Sequence, residues 1–193
     1  MRTEIIRSLR VLGFLTLLTG CLYPLAMTGL AWLLFPDQSI GSSVIVDGKS
    51  VGSSLVGQAF TRPEYFWPRP SATDYSALPS GGSNLGPTSR TLTEQVEARR
   101  ISLTDPDHSG RIPTELLYAS GSGIDPHISP EAARYQINRV AKARKFDVLR
   151  VRDVEQLVAR HTEGRTFGLL GEPRVNVLLL NLALDSLDTG QSP

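Results

Sequence analysis

The sequence predicts an α+β fold class: one N-terminal transmembrane helix followed by a single small extracytoplasmic α+β domain. Three observations predict it. The run from Val11 to Phe35 has no charged side chain, β-branched residues flank Asp47-Gly48, and apolar residues recur at helical spacing in the second half of the chain. A length of 193 residues gives one cored domain plus an appendage. The expected organisation is a cytoplasmic N-terminus at 1–10, a membrane helix at 11–36 and an outer (periplasmic) domain at 37–193.

The apolar run comes first. At ~1.5 Å per residue, Val11–Phe35 as a helix exceeds a hydrocarbon core of ~30 Å. Arg2, Arg7 and Arg10 precede it, whereas Asp37 follows and no basic residue occurs before Lys49, so the N-terminus is expected in the cytoplasm. This gives a single-pass protein of the cell inner membrane, in contact with membrane lipid. A rival reading is a lipoprotein cleavage box at Leu18–Cys21, "LTGC". Cleavage there leaves Leu22–Phe35, with Trp32, as an exposed apolar arm, so the uncleaved anchor is favoured. Cys21 is the only cysteine and forms neither an internal disulfide nor a multi-thiolate metal site. Gly13, Thr16, Gly20, Pro24, Thr28 and Ala31 recur every three or four residues. Such a stripe fits a partner helix, or reflects the ordinary abundance of small residues in membrane helices.

In "SVIVDGKSVGSSLV", Ser43–Val56, the Asp47-Gly48 pair supplies the positive φ angles of a tight hairpin. "GKS" at Gly48–Ser50 resembles the end of a phosphate-binding loop, but Ser43 occupies the leading glycine's place and no helix former follows. Phe60–Pro70, "FTRPEYFWPRP", is too proline-rich for a helix or a central strand. It reads as a stiff extended segment that either docks a partner or caps the domain's own core with Tyr65, Phe66 and Trp67. Ser71–Pro87 reads as an ordered loop. A helix is expected from about Thr88, with Leu92, Val96 and Ile101 inward, broken by the turn "TDPDHSGR", with a short helix at Pro113–Ala119. Ser129-Pro130 is a strong helix start, with Ala133, Ile137, Val140 and Ala141 on one face. A further helix is expected at Val151–His161, burying Val154, Leu157 and Val158, and "VNVLLL" at Val175–Leu180 reads as a buried strand.

Chemistry is sparse in this sequence. Twenty basic and nineteen acidic residues leave no field to gather nucleic acid. His108, His127 and His161 fall in no metal-binding spacing, so no metal site is expected. No G-x-S-x-G elbow occurs, "TDPDHSG" lacks the distal glutamate of a calcium loop, and no catalytic residue is identified. The richest stretch is "SGSGIDPHISP", carrying Gly121, Gly123, Asp125 and His127. Its backbone N–H groups suit an anion, but with no second titratable partner a rigid structural and docking loop is favoured. Arg134, Arg139, Lys142, Arg144, Lys145, Arg150 and Arg152 read as a solvated basic face.

Five features together carry a resemblance: the N-terminal spanning helix, "YFWPRPSA" at Tyr65–Ala72, "SGGSNLGPT" at Ser80–Thr88, "ASGSGIDPHISPEAA" at Ala119–Ala133 and "EPRVNVLLLNLAL" at Glu172–Leu184. In this order they resemble the C subunit (KdpC) family of the bacterial Kdp potassium-transporting ATPase over nearly the whole chain. The resemblance implies a non-catalytic accessory subunit of a potassium uptake complex, with a channel-like A subunit and an ATP-hydrolysing P-type ATPase B subunit as partners. It implies a helix packed beside the channel-like subunit and an outer domain over that subunit's mouth. It also implies a catalytic chaperone raising the ATP affinity of the B subunit, through a serine-glycine motif that falls on Ser80, Gly81, Gly82, Ser83 and Asn84. No cofactor of the chain's own is expected, ATP entering through the complex. The alternative is a free-standing membrane-anchored envelope enzyme, ligand-binding domain or lipoprotein.

Overall fold

The protein is described by a computed structural model covering residues 1–104 and 110–189. The expected turn at Thr104–Gly110, with His108, falls largely outside the described residues. The chain divides into two compact units, Met1–Val51 and Gly52–Pro193.

The first unit is one apolar helix that runs from Arg2 to Leu34, long enough by length and composition to cross a membrane. Its pieces are α1 (Arg2–Leu17), a wide π turn (Leu18–Leu22) and α2 (Tyr23–Leu34). The wide turn has a local cause. Pro24 has no N–H to give to a carbonyl four residues back and its ring crowds that turn, so the helix widens just before it. Tyr23 N–H accordingly bonds the Leu18 carbonyl, five residues away. A short α3 (Pro36–Ser39) leads into the expected hairpin, β1 (Ser43–Val46) and β2 (Lys49–Ser53). Asp47 and Gly48 have φ of 50° and 74°, the left-handed pair that a two-residue turn requires.

Among its described residues the second unit has four helices and a small antiparallel sheet: α4 (Arg90–Leu103), α5 (Pro130–Arg144), α6 (Val148–Arg160) and α7 (Val177–Thr189), with strands β3 (His127–Ile128), β4 (Thr162–Glu163) and β5 (Arg174–Asn176) in the order β3-β5-β4. His127 pairs with Asn176, and Thr162 with Val175. Each helix start is a side-chain oxygen meeting a free backbone N–H: Ser89 for α4, Ser129 for α5 and Asp147 for α6. The core gathers Phe66, Ile128, Ala133, Ile137, Val140, Val154, Leu157, Val158, Val175, Leu180 and Leu184.

Four expectations are corrected. "VNVLLL" is not a strand beyond Asn176: the Asn176 side-chain oxygen accepts the Leu179 N–H and starts α7 there, so the leucines are helical. A short apolar run fits a buried strand or a buried helix equally, and the cap decides. Ile101 is 69% exposed, and Leu103 takes the inward place expected of it. The helix expected over Pro113–Ala119 shrinks to a 3₁₀ turn at Thr114–Leu116. The basic face is not wholly solvated, because Arg139 stacks 3.7 Å from the Trp67 ring and the Arg144 side chain is only 7% exposed.

Candidate functional site: a seam of two serine-glycine segments

The extended segment Phe60–Pro70 lies on the domain's own core, with Phe66 fully buried. Its prolines deny it a place in a sheet, yet its buried peptide groups need partners. Two buried amide side chains supply them. Asn181 accepts the Phe66 N–H at 2.8 Å and donates to the Phe66 carbonyl at 3.0 Å. Gln136 does the same for Trp67, at 2.8 and 3.1 Å. Each amide acts as one rung of a missing neighbouring strand. Arg144 fastens the same segment, donating to the Glu64 carbonyl at 2.8 Å and pairing with Asp185 and Asp188 on α7. Burial alone lowers the tendency of Arg144 to hold its proton, but these two carboxylates outweigh it and leave the affinity raised.

The segment delivers the chain to the two serine-glycine stretches, which meet although they lie far apart in sequence. A Cβ on Gly82 would stand 3.2 Å from the Gly121 carbonyl oxygen, and one on Gly123 would stand 2.6 Å from both the Gly81 carbonyl oxygen and Thr73 Oγ1. Gly123 also has φ of 71°, so backbone conformation and space both demand glycine there. Gly121 has neither restriction. The seam is tied on both sides. Ser71 Oγ donates to the Gly123 carbonyl at 2.6 Å, Ser120 N–H to the Pro70 carbonyl at 2.9 Å, and Gly123 N–H to Ser120 Oγ at 3.0 Å. Gly57 N–H donates to the Ile124 carbonyl at 2.7 Å, and a Cβ on Gly57 would stand 2.5 Å from the Asp125 carbonyl oxygen.

Asp125 is committed on both oxygens. Oδ1 accepts the His127 N–H at 3.0 Å, and Oδ2 pairs with Arg69 at 3.0 Å. The His127 ring, partly buried with Nδ1 3.8 Å from Asp125, has a pKa lowered from 6.5 by burial and by Arg174, with Asp125 and Glu163 opposing. Tyr75 donates to the Arg69 carbonyl at 2.8 Å, and its pKa is pushed up to about 12 by burial, Arg99 opposing and Asp74 adding. At neutral pH both groups are uncharged, and the Tyr75 hydroxyl acts as a hydrogen-bond donor rather than a base. Among the described residues no cluster of three or more His, Cys, Asp or Glu is placed to hold a metal. The arrangement is suited to holding backbone in a fixed shape.

The sequence motifs thus fall into two places. Gly81 and Gly82 join Gly121 and Gly123 in the seam, and Asp125 and His127 brace it from the β3 side. Ser83 Oγ accepts the Leu85 N–H at 3.5 Å, and Asn84 has φ of 52°, shaping the turn that leaves the seam. Gly13, Thr16, Gly20, Pro24, Thr28 and Ala31 belong to the first unit, on the membrane-length helix, with nothing within 4 Å of a Cβ built on Gly13 or Gly20. The wide turn falls inside that stripe and rotates its later half relative to its earlier half. Sequence inspection missed Gly57, Arg69, Ser71 and Thr73 as members of the seam. Only their density of Gly, Ser and Thr beside prolines marked the region.

Residues 5–186 match the family model described as KdpC: K+-transporting ATPase, c chain. Over 192 residues the chain is 51% identical to the Potassium-transporting ATPase KdpC subunit of Dechloromonas aromatica (strain RCB), covering 97% of this chain and 99% of that one. The protein of the same name from Polaromonas naphthalenivorans (strain CJ2) is 54% identical, covering 98% of each chain. That from Sorangium cellulosum (strain So ce56) is 55% identical over 92% of this chain and 95% of the relative. With one membrane-length helix among the described residues, its seam of paired glycine segments and a match over almost its whole length, the chain belongs to the KdpC family, the c chain of the K+-transporting ATPase.

Proposed function

We propose that this chain is a non-catalytic accessory subunit of the potassium uptake complex, assembling with and stabilising a channel-like A subunit and an ATP-hydrolysing B subunit. Its helix crosses the inner membrane once with the N-terminus in the cytoplasm, and the second unit lies outside. The arginine flank at Arg2, Arg7 and Arg10 supports that orientation. The observation that carries the accessory reading is the seam. Gly81, Gly82, Gly121 and Gly123 are spent on contact with one another, and Asp125 on Arg69 and its own turn, so the region holds shape. In this reading the chaperone-like effect on ATP affinity acts through contact with the B subunit. Direct nucleotide binding at Ser80–Asn84 is disfavoured by the contacts already made there and by the scarcity of ATP outside the cytoplasm.

The test uses the full-length tagged chain from potassium-starved cells, solubilised in mild detergent. Two larger subunits should be recovered with it, and potassium-stimulated ATP hydrolysis should follow complex recovery for Gly123→Val, Asp125→Asn and His127→Gln. An intact complex inactivated by His127→Gln would overturn the accessory reading. An intact complex whose KM for ATP rises with Ser83→Ala would restore nucleotide binding at that motif.

A further inference from the structure

Between β4 and β5 the chain makes a tight turn whose apolar side chains point away from the domain. Phe167 is 90% exposed, Leu169 80% and Leu170 65%. These are not frayed residues. Thr166 N–H donates to the Leu170 carbonyl at 2.8 Å and Leu170 N–H back to Thr166 at 3.0 Å, while Gly168 N–H donates to the Arg165 carbonyl at 3.0 Å. Phe167 holds φ of 55°, a left-handed conformation costly for a bulky side chain, and Gly168 follows at 74°. Glycine or asparagine would make that turn without cost, so its shape does not explain a phenyl ring there. Below the tip, Arg165 pairs with Glu172 at 3.0 Å and Arg174 with Glu163 at 2.9 Å.

We propose that Phe167–Leu170 is a preformed anchor that inserts into an apolar cleft on the extramembranous surface of another subunit of the K+-transporting ATPase. The proposal rests on the chain being a subunit, and not on the role given to the seam. Four observations choose the occupant. The family is that of one chain among others of an ATPase, so companion proteins exist. Both basic residues of the collar are paired with carboxylates, and Glu172 is highly exposed, which offers no excess positive charge to anionic lipid headgroups. A neutral collar under an apolar tip instead matches an apolar cleft with an uncharged rim. The hydrogen-bonded turn fixes the backbone that carries the ring before contact, which lowers the ordering cost of a shape-specific fit and brings little to insertion among mobile acyl chains. A second copy of this chain is a poorer host, because the hollow beside Tyr135 is walled by Arg139 and Lys142 and that beside Trp67 by Arg99.

The experiment uses the full-length chain in native membranes. A benzophenone side chain is introduced in place of Leu169, light is applied, and the adduct is identified by mass spectrometry. Complex recovery is measured in parallel for wild type, Phe167→Ser and Leu169→Ser, the last leaving the left-handed position untouched. The expected result is an adduct with another subunit of the ATPase and a fall in co-recovery of about tenfold or more for each variant, as for central anchors of an interface. An adduct with lipid, an adduct with a second copy, no adduct, or undiminished recovery of both variants would each overturn the proposal. Wild-type chain recovered without larger subunits would overturn the subunit reading itself, and the anchor with it.

Discussion

His127 illustrates how a single side chain sets a pH dependence. Its folded pKa lies below the ordinary 6.5, because burial comes first and Arg174 second, while Asp125 and Glu163 resist the shift. The unfolded chain therefore binds the proton more readily than the folded one. Stability is full where the ring is neutral in both states and falls as pH drops through the ordinary value, levelling off below the folded pKa. Melting of the solubilised full-length chain should therefore weaken as pH falls through about 6.5, and His127→Gln should reduce that slope. An unchanged slope in His127→Gln would show that the proton goes elsewhere. The buried amides work on the same residue scale. Gln136 and Asn181 are 1% and 2% exposed, and removing either leaves a peptide N–H and a carbonyl without partners in the core.

Among the elements, the seam makes the sharpest prediction, because its two glycine positions differ. Gly123→Ala meets a left-handed φ and two oxygens at 2.6 Å, one of them backbone, and should cost about 2–3 kcal/mol in denaturant unfolding. Gly121→Ala meets open space and should change stability by no more than about 0.5 kcal/mol. Equal effects would mean the two segments do not pack as described. Elements governed by local chemistry were legible in the sequence: the Asp47-Gly48 hairpin, the Ser129-Pro130 helix start and the apolar membrane-length run. Those decided by distant partners were not. Whether Val177–Leu180 continued as strand or turned into helix depended on Asn176, whose side chain caps α7 and also donates to the Ser54 carbonyl at 2.7 Å. The solvated-face reading of the basic run failed at Arg139 and Arg144 because their partners, Trp67, Asp185 and Asp188, lie far along the chain. At the seam, the sequence displayed both glycine stretches but held no local sign that they touch. The Phe167 tip passed unnoticed because three apolar residues in a short loop have no periodicity.

At the scale of the whole molecule, the Arg2–Leu34 helix of the first unit is about 50 Å long at the rise of ~1.5 Å per residue, more than the ~30 Å of a hydrocarbon core. The second unit gains its shape from α5, α6 and α7 closing on a sheet of only three short strands, and from a proline-rich segment that belongs to no sheet. That segment reports on everything around it. The peptide groups of Phe66 and Trp67 are held by α7 through Asn181 and by α5 through Gln136, so freeing both requires two helices to let go. In a deuterium-exchange experiment these two amides, in a stretch without regular secondary structure, should exchange as slowly as the most protected amides of α5, at a rate set by global unfolding. Exchange at the pace of the nearby Ser71–Pro87 loop would mean that the clamps open locally. A ribbon that looks like a surface loop is thereby a clock for the entire fold, and its deuterium uptake measures how often the domain comes apart.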